Sequence, residues 1–375
     1  MSEVRVLEHI HDVDEAAWNG LVGPEDTPFV DWRWLAALEE TGCVRAEVGW
    51  LPCHLAAYED GRLVAAAPAY LKGNSEGEFV FDWRFAELAA RFGVAYYPKL
   101  VLAVPFTPAT GTRFLVAKGF DRERATKLLG AAAIELARSA NASSVHALFL
   151  TESEVNALAG LGFRERHGLQ YHWHRRGAQS FEDFLGRLPT KKRTQLRRER
   201  RRPAESGIEV RTLESDEYTP TMAKTMHRFY LTTVDKFMWG RRYLNPSFFE
   251  RVAERFRDRL AWVVATRGAK PIAGAFNIAS ETTLYGRYWG ADEELPFLHF
   301  NVCYYHGIDE CLRRGLATFE PGAGGEHKHA RGFDATVTRS AHLVFEPRLR
   351  GLMERYFDDE RAAIARHLEH GADED

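Results

Sequence analysis

The sequence has few cysteines and lacks a long apolar run. Its four cysteines, spread over 375 residues, have neither the paired spacing of a metal site nor the density of a disulfide framework. The most apolar stretch, 96–108, is interrupted by Lys99 and three prolines, so it falls short of a bilayer-spanning segment. The first residues mix acids and histidines and lack the basic start of a secretory signal. We therefore expect a cytoplasmic protein, and peripheral contact with a membrane is compatible with this expectation.

Net charge is small, at −3, but the basic residues are unevenly distributed. The segment 187–202 contains nine basic residues and one acid, Glu199, with prolines near both ends. This pattern predicts a short helix or arm near a domain junction. A charge run is usually a solvated face, but nine cations favour phosphate binding; no motif for reading nucleic-acid sequence accompanies them. We expect three of them to face a phosphate: Lys191, Arg193 and Arg197.

Apolar periodicity predicts strands and helices in an α+β order. In the first half we expect a hairpin at 54–71, a strand at 79–83, a helix at 126–139 and a strand at 145–150. The second half repeats the hairpin at 265–275, the helix at 301–314 and the last strand at 340–345. This order favours a duplicated domain, and the alternative is two unrelated α+β domains. We predict a first domain at 1–177, with a structural or acceptor-positioning role, and a catalytic second domain at 178–375.

Several strings resemble the FemAB-like family, a branch of the GNAT acyltransferase superfamily: PFTPATGTRFL (105–115), QYHWHRRG (170–177), LYGRYWG (284–290), PFLHFNVCYYHGIDE (296–310) and GEHKHARGF (325–333). The resemblance implies two tandem GNAT-like domains with mixed β-sheets flanked by helices. It also implies transfer of an acyl or aminoacyl group to an amine. In the better-understood Fem ligases the donor is aminoacyl-tRNA and the acceptor is a peptidoglycan precursor. These ligases carry a similar Lys/Arg-rich stretch near the domain junction.

A glycine-rich polar loop, 320–331, follows a predicted strand and has the residues that acyl transfer needs. An amine acceptor starts near pKa ~10.4 and must lose a proton, which calls for a base and for donors facing the oxyanion. We expect Glu320, Glu326 and His327 to be catalytic, and Lys328 and Arg331 to hold a phosphate or carboxylate. On composition alone, a solvated loop is the alternative.

Two further segments contain candidate substrate-binding residues. Strand alternation places Tyr285, Arg287 and Trp289 on one face, and we expect Tyr285 and Arg287 to line the acceptor cleft beside Glu320. An aromatic core strand with a snorkelling arginine is an equal alternative. In the first domain, we expect Thr107 and Arg113 to close over an interdomain cleft.

The expected co-substrate is an acyl donor, either aminoacyl-tRNA or acyl-CoA, with no tightly bound cofactor. The stretch 290–300 has one glycine and three acids, where an acetyl-CoA enzyme needs a glycine-rich pyrophosphate turn, so we expect no ordinary acetyl-CoA site. The HxH pairs at 172/174 and 327/329 lack metal-ligand partners, so we expect no metal. The alternatives are an N-acyltransferase using acyl-CoA or an acyl carrier on a small amine, and a non-catalytic pair that binds precursors or tRNA.

Overall fold

The computed structural model describes residues 3–236 and 240–373, without the side chains of Glu326 and residues 370–373. The chain forms two compact units, Met1–Leu169 with Val337–Glu374, and Gln170–Thr336. The predicted domains, 1–177 and 178–375, differ from these units most at the C-terminal end. Residues 337–374 belong to the first unit because apolar side chains of the last helix, such as Phe357, pack against Phe85.

Both units combine strands and helices. The strands are β1 Glu3–Leu7, β2 Trp50–Pro52, β3 His54–Glu59, β4 Arg62–Ala67, β5 Ala69–Lys72, β6 Lys99–Leu102, β7 Leu115–Val116, β8 Ser144–Leu150, β9 Arg164–His174, β10 Ile208–Thr212, β11 Val263–Arg267, β12 Lys270–Ala279, β13 Thr283–Ala291, β14 Thr318–Glu320 and β15 Asp334–Val344. The helices are α1 Glu15–Asn19, α2 Trp32–Glu40, α3 Trp83–Arg91, α4 Arg122–Ser139, α5 Glu152–Ala159, α6 Phe181–Gly186, α7 Thr190–Glu205, α8 Pro220–Val234, α9 Pro246–Arg255, α10 Leu298–Phe300, α11 His306–Arg314 and α12 Pro347–Asp373.

The first unit contains a four-stranded sheet, in the order β1-β3-β4-β7, and a second set of paired strands that includes β8-β6-β5-β2. The predicted hairpin is confirmed by β3 and β4, and the predicted helix and strand by α4 and β8. The predicted strand at 79–83 is wrong. This segment is a loop leading into α3. Two acids at its ends, Glu78 just before it and Asp82 within it, are buried against Lys99, whereas a half-buried strand would direct its polar side chains to solvent.

In the second unit, neighbouring strands follow the order β10-β11-β12-β13-β14-β9. Strands β13 and β14 are parallel and pair over three residues, from Thr283 opposite Thr318 to Tyr285 opposite Glu320. The predicted helix at 301–314 is present, but its first turn, Asn301–Tyr305, is a π-helix. Such widened turns are frequent at functional sites.

The mixed sheets flanked by helices confirm the predicted fold class. In the ranges that the structure describes, no helix is long and apolar enough to cross a membrane.

Candidate functional site

The basic segment forms helix α7, as predicted, but the helix continues through Pro203 to Glu205. A proline cannot donate to the carbonyl four residues earlier, which here belongs to Glu199. The side chain of Asn301 bonds this carbonyl instead, with a distance of 2.9 Å from Nδ2 to the oxygen. The π-helical turn, which includes Asn301, thus compensates for the proline and holds α7 in place.

Glu199, the one acid of the basic run, lies at the centre of a buried polar cluster. Its carboxylate accepts two hydrogen bonds from Arg331, at 3.0 Å from Nε and 3.0 Å from Nη2, and a further one from the Tyr305 hydroxyl. Glu199 is 2% exposed, and the Arg331 guanidinium lies 3.4 Å above the Phe300 ring. A bidentate, buried pair of this kind fixes both side chains. In the sequence, Glu199 stands out only as the one acid within a cationic run.

Arg331 is thereby a positioning residue. Its remaining nitrogen, Nη1, donates to the His327 carbonyl at 2.8 Å, so each guanidinium nitrogen bonds within the protein. The predicted grip of Arg331 on a substrate phosphate or carboxylate is therefore not supported by its geometry. The ion pair instead ties the 3₁₀ turn Glu326–Arg331 to helix α7.

His327 is exposed and pairs with a tyrosine of the π-helical turn. Its Nε2 lies 2.9 Å from the Tyr304 hydroxyl. Partial burial, followed by the charges of Lys328 and Arg331, lowers the pKa of His327, so the imidazole is neutral at pH 7. A neutral, accessible imidazole held by a tyrosine is able to accept a proton from a substrate amine.

Lys328 lies beside His327 in sequence but its side chain is buried, with 2% exposed. The ammonium donates to the carbonyl of Gly322 at 2.6 Å, which fixes the glycine-rich loop over it. Burial lowers the pKa of Lys328 to about 8, while the thiol of Cys303 acts in the opposite direction. A lysine with this pKa exchanges its proton near neutral pH, which an ordinary surface lysine does not do.

Glu320 ends strand β14, and its register partner on β13 is Tyr285, so the structure brings these two predicted residues together. The carboxylate Oε2 lies 4.0 Å from Nε2 of His172. Burial lowers the pKa of His172 to about 3, so this imidazole is neutral and provides no positive charge to Glu320. The side chain of Glu326, the remaining predicted catalytic acid, lies outside the described residues.

Strand alternation at Arg287 is interrupted by a β-bulge. On β12, Phe276 pairs with Tyr288 of β13, and the following residue, Asn277, pairs with Gly286. Arg287 is therefore the extra, unpaired position of the bulge. The predicted shared face of residues 285, 287 and 289 is therefore wrong, because Tyr288 instead takes the face of Tyr285. Burial lowers the pKa of Arg287, and the charge of Glu320 opposes this shift.

A cavity of about 150 Å³ opens at the start of α7, and we name it the α7 cavity. Its lining is basic and aromatic: Trp173, His174, Arg176, Phe184, Arg187, Leu188, Pro189, Lys192, His329, Gly332, Phe333 and Asp334.

The three predicted phosphate ligands of α7 do not line this cavity. Lys191 is exposed, Arg193 bonds Thr190 at 2.8 Å, and Arg197 pairs with Glu182 at 2.6 Å on the surface. An α-helix has 3.6 residues per turn, so only one residue in three or four can face the α7 cavity. In the first turn of α7, that residue is Lys192.

Thr107 and Arg113, predicted to contact substrate, are buried in the first unit. Arg113 is 1% exposed, and its guanidinium donates to loop carbonyls such as Gly111, at 3.0 Å. The Thr107 hydroxyl donates to Pro105 at 2.9 Å. These contacts stabilise the loop 105–113 from within, so the predicted substrate role is not supported by the geometry.

The stretch where an acetyl-CoA enzyme has its pyrophosphate turn is used for packing here. A Cβ at Gly290 would lie 1.7 Å from the Phe229 carbonyl, so this glycine permits close contact between β13 and α8. The three acids that follow pair on the surface with cations at distances of 3.0, 2.8 and 2.7 Å: Asp292 with Arg228, Glu293 with Arg267 and Glu294 with Lys236.

The two mixed-sheet units, one of which holds a polar loop after a parallel strand pair, have the α+β architecture of the predicted fold class. The family model described as FemAB-like, peptidoglycan biosynthesis/recognition, matches residues 9–374, and the chain belongs to this family. Membership identifies it as an enzyme of the acyltransferase or aminoacyltransferase kind.

Solved structures with the same fold share little sequence with the chain. FemX has 12% identity and a TM-score of 0.53, covering 94% of this chain and 100% of FemX. The C-terminal domain of a putative lysylphosphatidylglycerol synthetase from Agrobacterium fabrum has 12% identity and a TM-score of 0.55, and the match covers 91% of this chain and 95% of that domain. L-PGS from Bacillus licheniformis has 10% identity and a TM-score of 0.53, and the match covers 92% of this chain and 98% of the L-PGS chain. Among curated protein sequences there is no significant match.

Proposed function

We propose that this protein transfers an aminoacyl group to the amine of a phosphate-bearing cell-wall precursor or a related metabolite. The reaction takes place in the second unit, at the polar loop that follows β14. The observation that carries the proposal is the pair of adjacent residues His327 and Lys328. One is an exposed neutral imidazole, and the other is a buried lysine whose pKa is lowered to about 8.

In the proposed reaction, the acceptor amine attacks the carbonyl carbon of the donor ester. A C–N bond forms, the amine proton passes to His327, and the C–O bond to the donor breaks. Lys328 stabilises the negative charge that develops on the carbonyl oxygen and donates a proton to the leaving oxygen. His327 then loses its extra proton and Lys328 regains one by exchange with solvent, so both groups return to their starting states. Its lowered pKa makes this proton easier to give up than that of an ordinary lysine.

The neighbouring side chains hold these two groups in place. Tyr304 orients the imidazole through its 2.9 Å contact, and Arg331 holds the His327 backbone carbonyl at 2.8 Å. Glu199 fixes Arg331 in turn. Glu320, at the end of β14, is the second candidate base, as the sequence predicts.

Charged tRNA is the donor that we favour. The turn at 290–297 has Gly290 packed against α8 and three acids on its surface, which does not suit a pyrophosphate. The solvent-facing side of α7, with Lys191, Arg197 and their neighbours, provides a cationic surface for an RNA backbone. The resemblance to the Fem ligases, whose donor is aminoacyl-tRNA, supports the same donor class, and we place the reaction in the cytoplasm, where charged tRNA is available.

A mass-spectrometric assay distinguishes the candidate functions. The purified protein is offered either charged tRNA or acyl-CoA, together with cell-wall precursors and free amines. A mass gain on the acceptor that requires charged tRNA supports the proposal. A gain that requires acyl-CoA would make the protein an N-acyltransferase, and binding without any gain would make it a precursor- or tRNA-binding protein.

A further inference from the structure

The α7 cavity has an excess of positive charge. Arg176, Arg187 and Lys192 contribute three cations and Asp334 contributes one anion, so the lining carries a formal charge of +2 from these four side chains. The lining also contains two histidines, His174 and His329. Burial lowers the pKa of one of them, His174, which keeps that imidazole neutral at pH 7. This charge matches a doubly negative ligand.

Two of the three cations form bonds within the protein. Arg187 donates from both Nη atoms, at 2.9 Å each, to the carbonyls of Arg175 and Arg176. Arg176 in turn bonds Asp334 at 2.9 Å. Both arginines are exposed, and these bonds restrain their guanidinium groups beside the cavity in part.

The N-terminus of α7 adds to the cation cluster. Its N-cap is Pro189, which forms no side-chain capping hydrogen bond. The first-turn amides of a 16-residue helix thus have no side-chain cap, and Leu188, Pro189 and Lys192 line the cavity. Amides at a helix start favour anions because they carry the positive end of the helix dipole.

The opposite wall is apolar and tightly packed. It contains Trp173, Phe184 and Phe333, and Gly332 lies so close that a Cβ there would be 2.9 Å from the Phe184 ring. Low-polarity walls strengthen the attraction between the cations and a bound anion.

We propose that the α7 cavity binds a phosphoryl group of the acceptor, with Lys192, Arg176 and Arg187 as its ligands. The assignment of this phosphoryl group to the acceptor rests on the proposed function. The site is separate from Lys191, Arg193 and Arg197, the phosphate ligands that the sequence suggested on the same helix, and their role stays a prediction.

Calorimetric titration of the full chain tests the site directly. The probes are inorganic phosphate, uridine diphosphate for a nucleotide source and glycerol 3-phosphate for a lipid headgroup, with acetate as a singly charged control. Lys192→Met removes a cation of the cavity, and Arg202→Met removes an exposed cation from the same helix as a matched control. Thermal melting confirms that each variant is folded.

We expect at least one phosphoryl probe to bind more tightly than acetate. Lys192→Met should weaken it about tenfold, since a hydrogen bond to a charged group is lost, and Arg202→Met should leave it unchanged. Equal losses in Lys192→Met and Arg202→Met would overturn the proposal, because binding would then follow net charge alone. Binding of no phosphoryl probe at millimolar concentration would overturn it too.

The transfer assay separates this inference from the proposed function. If transfer occurs, Lys192→Met should raise KM for the acceptor and leave kcat close to that of the unaltered protein. An unchanged KM would refute the cavity and leave the transferase function standing. Phosphoryl binding that depends on Lys192, in a protein that transfers nothing, would support the site and refute the function.

Discussion

The carboxylate of Glu199 and the guanidinium of Arg331 form a bidentate ion pair inside the second unit, with two N–O distances of 3.0 Å. The pair joins the basic helix α7 to the 3₁₀ turn that contains His327 and Lys328. Two segments that are 132 residues apart are thereby held in one arrangement. Loss of the pair should therefore affect both the stability of the protein and the geometry of the site.

Glu199→Gln should lower the free energy of unfolding by about 3 kcal/mol, because it leaves the Arg331 charge buried without its counter-ion. Denaturant unfolding followed by circular dichroism measures this change. Glu182→Gln, at the exposed pair with Arg197, is the matched control and should have no resolvable effect. Equal stability of the two variants would show that the Glu199–Arg331 pair contributes no more than a surface contact.

The lowered pKa of Lys328 predicts a pH-dependent stability. The folded-state pKa of about 8 lies below the unfolded value, so the unfolded chain binds more protons between these two values and stability rises with pH there. The stability of the unaltered protein relative to Lys328→Met should increase by about 1 kcal/mol from about pH 7.5 to about pH 9. A constant difference across this range would show that Lys328 has an ordinary pKa.

The contact between Tyr304 and His327 predicts unequal losses of activity. His327→Asn removes the proposed base and should reduce kcat about 100-fold, whereas Tyr304→Phe removes only its orienting hydroxyl and should cost about tenfold. Steady-state transfer rates give both values. His367→Asn, on the exposed part of α12, should retain full activity. A larger loss for Tyr304→Phe than for His327→Asn would reverse the two roles.

Lys99 in the first unit should contribute strongly to the stability of the fold. It is fully buried and its ammonium pairs with Glu78, at 2.9 Å, and with Asp82. Lys99→Met leaves two buried carboxylates and should cost about 3 kcal/mol. Burial already raises the pKa of Glu78 to about 7, so protonation relieves the cost in acid, and the loss should grow as pH rises from about 5 to about 8.

Unfolding curves at several pH values measure this loss. The control is Lys127→Met, which breaks an exposed pair with Glu123 and should be neutral. A loss that shrinks toward high pH would contradict the assignment of charge in this cluster.

Sequence patterns predicted most elements of the fold because apolar periodicity follows local structure. They predicted the hairpin of β3 and β4, helix α4 and the fold class, and the string resemblance predicted the family. The segment 79–83 failed because Glu78 and Asp82 point inward to Lys99, a contact that depends on residues about 20 positions away.

The candidate site was predicted only in part. The strings around His327 and Lys328 indicated the loop, but the phase of helix α7 decides that Lys192, and not Lys191, lines the α7 cavity. Glu199 was missed because its partners, Tyr305 and Arg331, are distant in sequence. One signal in the sequence could have identified it. Glu199 lies three residues after Leu196 and four before Pro203, so all three share one face of the helix, and an acid on that face of a basic run is expected to be buried.

The most direct test of the account compares the unaltered protein with Lys328→Met. Each is incubated with charged tRNA and the acceptor, and mass spectrometry measures the mass of the acceptor. We predict an aminoacyl mass gain with the unaltered protein and with Lys127→Met, which alters an exposed lysine of the first unit, and a loss of about 100-fold in Lys328→Met, which should remain folded. Full transfer by Lys328→Met, or transfer that requires acyl-CoA in place of charged tRNA, would contradict the account.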